Sequence, residues 1–180
     1  MVFNRLGKVQ KHVAKKKGKN VASLHENSRD TKRLQSAAQR DHKLNRITAL
    51  REKQNKPYLL RIKSFQSYTA AHTTPVPIVT TQAMIEDYLG RDDEVLSTLQ
   101  SERRSGRPPS TRETLLKQNR VSEEGEYSSG FWVPDLENED TLMKLKEWDG
   151  TWPGLATMKF VRVSRDGVKK ESCFPPKGLS

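Results

Sequence analysis

At 180 residues the chain has room for one domain and a tail. Only 33% of it is hydrophobic against 31% charged, so it cannot all be packed core, and part of it should be extended or dependent on a partner. The net charge is +11, no apolar run approaches the ~20 residues of a membrane span, and one cysteine, Cys173, excludes an internal disulfide and points to a reducing compartment.

The charge is lopsided. Residues 1–63 carry 18 Lys and Arg against 4 Asp and Glu, a net of +14, whereas residues 64–180 carry 15 against 18, a net of −3. A polyanion such as RNA is attracted to the first third by release of condensed counterions. The alternative is a basic tail that only aids solubility or nuclear import.

Residues 1–27 predict an extended basic arm. Lys8, Lys11, Lys15, Lys16, Lys17 and Lys19 stand close together with Gly7 and Gly18 among them, and no acid precedes Glu26. Like charges this dense repel, so the arm is expected to be disordered alone and ordered on phosphates. Lys15 to Lys19 also has the form of a nuclear localisation patch. No apolar stretch follows Arg5, Lys8 and Lys11, which argues against a secretory signal, and the excess of lysine over arginine argues against a mitochondrial presequence.

Residues 28–166 predict a helical body. Ser28 is a suitable N-cap for a long helix over 28–54, whose apolar stripe is narrow: Leu34, Ala37, Leu44 and Ile47. Arg29, Lys32, Arg33 and Arg40, followed by Lys43, Arg46 and Arg51, cover the remaining surface. Such a helix can lie across protein on one side and phosphates on the other, or be an ordinary solvated basic helix. Pro57 should start a new helix or kink the old one. Leu59, Ile62 and Phe65 recur every three residues beside Tyr58 and Tyr68, the pattern of a core helix.

Pro75 and Pro77 mark a linker, and Thr80 or Thr81 can cap the next helix. Ile85, Tyr88, Leu89, Val95, Leu96 and Leu99 form its apolar face, Gly90 marks a bend, and the acids opposite read as a solvated surface able to pair with the basic helix. That helix ends before Ser105-Gly106. Pro108-Pro109 forces an extended passage, and Ser110-Thr111-Arg112-Glu113 is a capping box that starts a helix running to about Ser122, with Leu115 and Leu116 inward. Arg104, Arg107 and Arg112 gather at this elbow, where guanidinium forks suit phosphate oxygens; pairing with local acids is an equal alternative for any one of them.

Phe131 and Trp132, before Pro134, read as an apolar plug sealing the body or as rings offered to a partner. Asn138 can cap a helix over Glu139–Trp148 with Leu142, Leu145 and Trp148 on one side. Met158 to Val163 is the best strand candidate, and Asp166-Gly167 can turn the chain back toward Val168. Residues 167–180 otherwise read as a tail. The fold class is mainly α: a small irregular helical bundle with an extended basic N-terminal arm and a short C-terminal β strand or hairpin.

No chemistry of an enzyme stands out. There is no phosphate-cradling glycine loop and no nucleophile elbow. His12, His25, His42 and His72 are scattered, without ligand spacing to the cysteine. The acids lie on a water-facing surface rather than in a pocket. The expectation is a protein without cofactor, metal, membrane or small-molecule substrate. The aromatic sheet signature and the GXXG clamp of common RNA modules are also absent, leaving charge and shape to do the binding.

The run from Arg103 to Gln118, together with Gly130-Phe131-Trp132-Val133-Pro134-Asp135-Leu136 and Glu147-Trp148-Asp149-Gly150, resembles the translation machinery-associated protein 16 family. So do Gly18-Lys19-Asn20, His25 and Ser28-Arg29, in the same order over about residues 8 to 166. The chain looks like a fungal member. It departs from the family pattern at Glu26, where a proline is expected, and at Asp30, where a lysine is expected. The resemblance implies a non-enzymatic assembly factor of the large ribosomal subunit precursor. Its partners would be large-subunit ribosomal RNA, ribosomal proteins and other assembly factors, and a placeholder role fits such a factor. It would act in the nucleus, in nucleolus and nucleoplasm, with shuttling to the cytoplasm left open. The competing reading is a protein-interaction adaptor on translating ribosomes or chromatin that docks a partner through Phe131 and Trp132, its RNA binding incidental.

Overall fold

A computed structural model describes residues 4–18, 24–70, 72, 74–104 and 106–176. Among them the fold is mainly helical, with one three-stranded antiparallel sheet near the C-terminal end. The chain divides into two compact units, Met1–Lys56 and Pro57–Ser180.

The first unit corrects the expectation of an extended arm. Arg5–Lys17 is a helix, α1. Asn4 caps it, its side-chain oxygen accepting from the Gly7 amide at 2.8 Å, and Gly18, at φ 58°, ends it. Leu6, Val9 and Val13 recur at helical spacing on one side, and Val13 is buried, so an apolar stripe holds the helix despite its charge. The second helix, α2, runs Arg29–Thr69. Ser28 caps it as its sequence suggests, accepting from the Thr31 amide at 3.2 Å. Pro57 does not restart the helix but stands inside it, at the first residue of the second unit. Helix and proline coexist because the missing amide costs one hydrogen bond in a helix with many others.

The second unit takes the last turns of α2 and adds α3 (Ile78–Gly90), α4 (Asp93–Ser101), α5 (Thr111–Ser129) and α6 (Glu139–Lys146). Pro77, not a threonine, precedes α3, and Gly90 is its last residue rather than a bend within one longer helix. The strands are β1 (Phe131–Pro134), β2 (Phe160–Val163) and β3 (Lys169–Ser172), in that spatial order, with β2 central. Phe131 pairs with Val163 and Phe160 with Ser172. The stretch expected as a tail therefore supplies β3. Gly167, at φ 78°, lets the chain reverse there, and Ser164 closes the turn, its hydroxyl accepting from the Val168 amide at 3.2 Å. Phe174 follows, 4.9 Å from the Trp152 ring and 5.9 Å from Phe160.

Every residue of β1 and β2 is buried. Trp132 stacks on Phe160 with centroids 4.2 Å apart, and Tyr58 meets Trp132 edge-on at 5.6 Å. Ile62 and Phe65 of α2, Ile85 and Tyr88 of α3, and Leu142 and Leu145 of α6 complete the core. Ser110 caps α5, accepting from the Glu113 amide at 3.1 Å. The helix extends to Ser129, past the expected end at Ser122, because the acids there have partners: Glu123 pairs with Arg91 at 2.8 Å and Glu126 with Arg61 at 2.7 Å. Leu115 is 53% exposed rather than inward. Glu113 holds the inward position, and two residues further on is about 200° round a helix.

Arg61 ties three elements together. Only 5% of it is exposed. Both its terminal nitrogens donate to the Glu126 carboxylate, at 2.8 and 2.7 Å, one also donates to the Trp132 carbonyl at 3.3 Å, and the guanidinium lies 3.9 Å over the Phe131 ring. Burial alone would lower its proton affinity, but the hydrogen bond and charge of Glu126 outweigh that and raise it. Glu126→Ala should therefore strand a buried cation. We expect a loss of roughly 3 kcal/mol, at the low end for a broken buried pair because Glu126 is partly exposed. It would be read from the urea midpoint of tryptophan fluorescence, which reports this unit because Trp132, Trp148 and Trp152 all lie in it. Arg61→Met combined with Glu126→Leu should recover most of the loss; an unchanged midpoint in Glu126→Ala would show that the pair does not hold the unit together.

Candidate nucleic-acid interface

Within the first unit, α1 is fastened to α2 by one apolar contact region and two polar ties. Val13 is 1% exposed and Ala37 3%. The Leu6 amide, left free by the start of α1, donates to Asp41 at 2.8 Å. Lys16 reaches Asp30 at 3.7 Å. Asp30, where the family pattern leads one to expect a lysine, is thus a buried acid in the first turn of α2, favoured there by the positive end of the helix.

The two helices enclose a groove of about 960 Å³. Arg5 and Lys8 of α1 and Arg29, Lys32 and Arg33 of α2 line it, and His12 faces it as well. Val9, Val13 and Ala37 give it an apolar floor, and Asn27 and Ser36 add uncharged polar groups. No lining residue is acidic. Arg5, Arg29, Lys32 and Arg33 are exposed and form no ion pair with the described residues. These four cations, held together without an ion pair, repel one another, and a polyanion relieves that repulsion while its own counterions are released.

The residues singled out from sequence are distributed unevenly. Lys8, Arg29, Lys32 and Arg33 come together in the groove. Lys11 and Lys15 are exposed on α1 and Arg40 on α2, outside the groove lining. Lys16 is spent on Asp30, Lys17 closes α1, and Lys19 lies outside the described residues. Arg5 and His12 belong to the groove but were not among the binding residues expected. Their signal was helical spacing: Arg5, Lys8, Val9 and His12 stand at i, i+3, i+4 and i+7.

In the second unit, Arg104, Arg107 and Arg112 are exposed at the passage into α5 and form no ion pair with the described residues. Their neighbour Arg103 serves structure, reaching Glu113 at 3.4 Å. The Glu113 carboxyl, 1% exposed, is held below its ordinary range by the hydrogen bond from Lys117 and by the charges of Arg103 and Lys117. Phe131, Trp132 and Trp148 are all buried, the first two completely. They are core side chains with no ring face on the surface, and the adaptor reading, which needs the first two exposed, loses its docking residues. Two acids at the start of α4 are used inside the unit, its N-cap Asp92 with Arg91 at 3.5 Å and Asp93 with Arg120.

Among the described residues no group of three or more His, Cys, Asp or Glu is placed to hold a metal ion, and no helix is long and apolar enough to cross a membrane. The groove's lining is cationic and presents no carboxylate beside His12.

The model of the family described as translation machinery-associated protein 16 matches residues 20–165. The chain belongs to that family. It is 34% identical over 170 residues to translation machinery-associated protein 16 of Saccharomyces cerevisiae, covering 92% of this chain and 94% of the yeast protein. It is 33% identical over 87 residues to the Danio rerio protein of that name and 30% over 88 residues to the Mus musculus one, each match covering 46% of this chain. The family description names a link to the translation machinery and no reaction. The matched residues take in the α2 side of the groove, the arginine elbow and the sheet up to the β2–β3 turn; α1 precedes them.

The attachment of α1 is open to test. Val13→Asp would place an unpaired carboxylate in a buried apolar position, at a cost of several kcal/mol. Amides 6–17 should then lose their protection from hydrogen exchange. Persistent protection would mean that α1 is not held through Val13.

Proposed function

We propose that this protein is a non-enzymatic assembly factor of the large ribosomal subunit precursor, acting in the nucleus and docked on ribosomal RNA through the α1–α2 groove. The observation that carries this reading is the groove itself, where Arg5, Arg29, Lys32 and Arg33 stand together without an ion pair to the described residues, in a member of a translation machinery-associated family. Charge of this kind supplies affinity and speed of association without base sequence. The free arginines Arg104, Arg107 and Arg112 give a second set of phosphate contacts, their forks suited to bidentate bonds. Ribosomal proteins and other assembly factors would flank the RNA. A compact body anchored in this way can hold a site until a later component takes it, and it needs no catalytic group to do so.

The test is to reverse charge at two groove positions. Lys32→Glu with Arg33→Glu should reduce cosedimentation of the full chain with large-subunit precursors at moderate salt. In purified RNA binding, the slope of log affinity against log salt should become shallower by about 2, as about 0.9 is lost per phosphate contact. Wild-type sedimentation by this variant would remove the groove from the account. A complex that survives nuclease digestion intact would mean that protein, not RNA, holds the factor in place.

A further inference from the structure

We propose that the α1–α2 groove holds an unpaired stretch of RNA, with bases against its floor and phosphates on its rim, rather than the backbone of a duplex. This rests on the RNA-binding reading above and gives it a substrate class. The chemistry of the groove is layered. Its apolar lining residues are the covered ones, Val13 and Ala37 buried and Val9 half-buried, whereas the cations Arg5, Lys8, Arg29, Lys32 and Arg33 are exposed. A duplex backbone seated in such a groove would press its phosphate oxygens onto valine and alanine, where desolvation costs free energy, and leave the rim cations beside it. An A-form helix also cannot offer its bases, because its major groove is too narrow and its minor groove too shallow for a concave surface to reach them.

An unpaired strand matches both layers. Its bases have apolar faces for the floor, its phosphates meet Arg5, Arg29, Lys32 and Arg33, and its base edges can use His12, Asn27 and Ser36. The volume of about 960 Å³ lies at the upper end of the ~300–1,000 Å³ range of ligand clefts, more than one phosphate needs.

The discriminating measurement is fluorescence anisotropy of the full chain with a short unstructured single-stranded RNA and with the blunt duplex made from it. Charge alone favours the duplex, whose phosphate density is higher. Burial of base faces against Val9, Val13 and Ala37, with one base stacked on the His12 ring at ~1–3 kcal/mol, reverses that order, and we expect the single strand to bind at least about tenfold tighter. Ser36→Phe fills the groove from an exposed position of α2 without changing charge. It should weaken single-strand binding about tenfold and leave duplex binding unchanged, with circular dichroism matching wild type. His12→Ala should weaken the single strand in the same selective way. Equal or tighter binding of the duplex, or single-strand affinity indifferent to both substitutions, overturns this inference alone. Absence of binding to either RNA overturns it together with the RNA-binding reading.

Discussion

A single buried guanidinium organises the second unit. Arg61 meets Glu126 of α5, the carbonyl of Trp132 in β1 and the face of Phe131 in the same strand, from a position on α2. Glu126 in turn accepts from the Trp132 amide at 3.2 Å, so the carboxylate fixes the start of β1 as well as the arginine. A buried pair adds little net stability over a well-packed apolar replacement. What it adds is restriction: a helix, a helix end and a strand must meet in one register for both groups to be satisfied. The sheet inherits that register. Trp132 is positioned by its own amide and carbonyl, Phe160 stacks on it, and Phe174 closes over Phe160. A four-residue strand has little pairing energy of its own, and this anchoring replaces length.

The two units use their cations in opposite ways. Residues 57–180 carry 17 Lys and Arg against 18 Asp and Glu, and residues 1–56 carry 16 against 4. In the near-neutral unit arginine is a structural residue. Arg61, Arg91 and Arg120 each take a carboxylate of their own, and Arg91 also covers Tyr88 at 3.9 Å. Burial and hydrogen bonding make these pairs specific, and they leave little charge to spare beyond the elbow arginines. In the basic unit the scarce acids are assigned to folding, Asp41 to the start of α1 and Asp30 to Lys16. Arg5, Arg29, Lys32 and Arg33 form no ion pair with the described residues.

Much of this was legible. Ser110 and Asn138 cap their helices as their spacing indicates, Ile62 and Phe65 fall in the core, and the strand over Phe160–Val163 appears where valine and phenylalanine cluster. The misses share a cause: net charge outweighed pattern. Lysine density in residues 5–17 suppressed the spacing of Leu6, Val9 and Val13, and with it Asn4 as a cap. The helix was expected to stop near Ser122 because the arginine partners of Glu123 and Glu126 are 32 and 65 residues away in sequence. β3, with the sequence Lys-Lys-Glu-Ser, has no apolar alternation to show. It forms because β2, fixed from its other side, presents an unpaired edge. The groove was half visible for the same reason. Its α2 cations stand out in composition, but recognising Arg5 and His12 as their companions requires knowing that the arm is helical.

A helical arm changes the energetics of binding as well as the contact list. An extended basic segment would lose backbone freedom worth ~1–2 kcal/mol per residue on docking, so much of its electrostatic gain would be consumed by ordering. In α1 that ordering is already supplied by Asn4, the Leu6–Asp41 bond and the burial of Val13. The cations of the rim are then presented at fixed helical spacing, and binding free energy goes into contacts. The cost is carried in the free protein, where Arg5, Arg29, Lys32 and Arg33 line a common space without an ion pair to the described residues. Occupation by a polyanion, as proposed, removes that repulsion, and a ligand that binds only the folded form stabilises it by mass action, so binding and the attachment of α1 support each other.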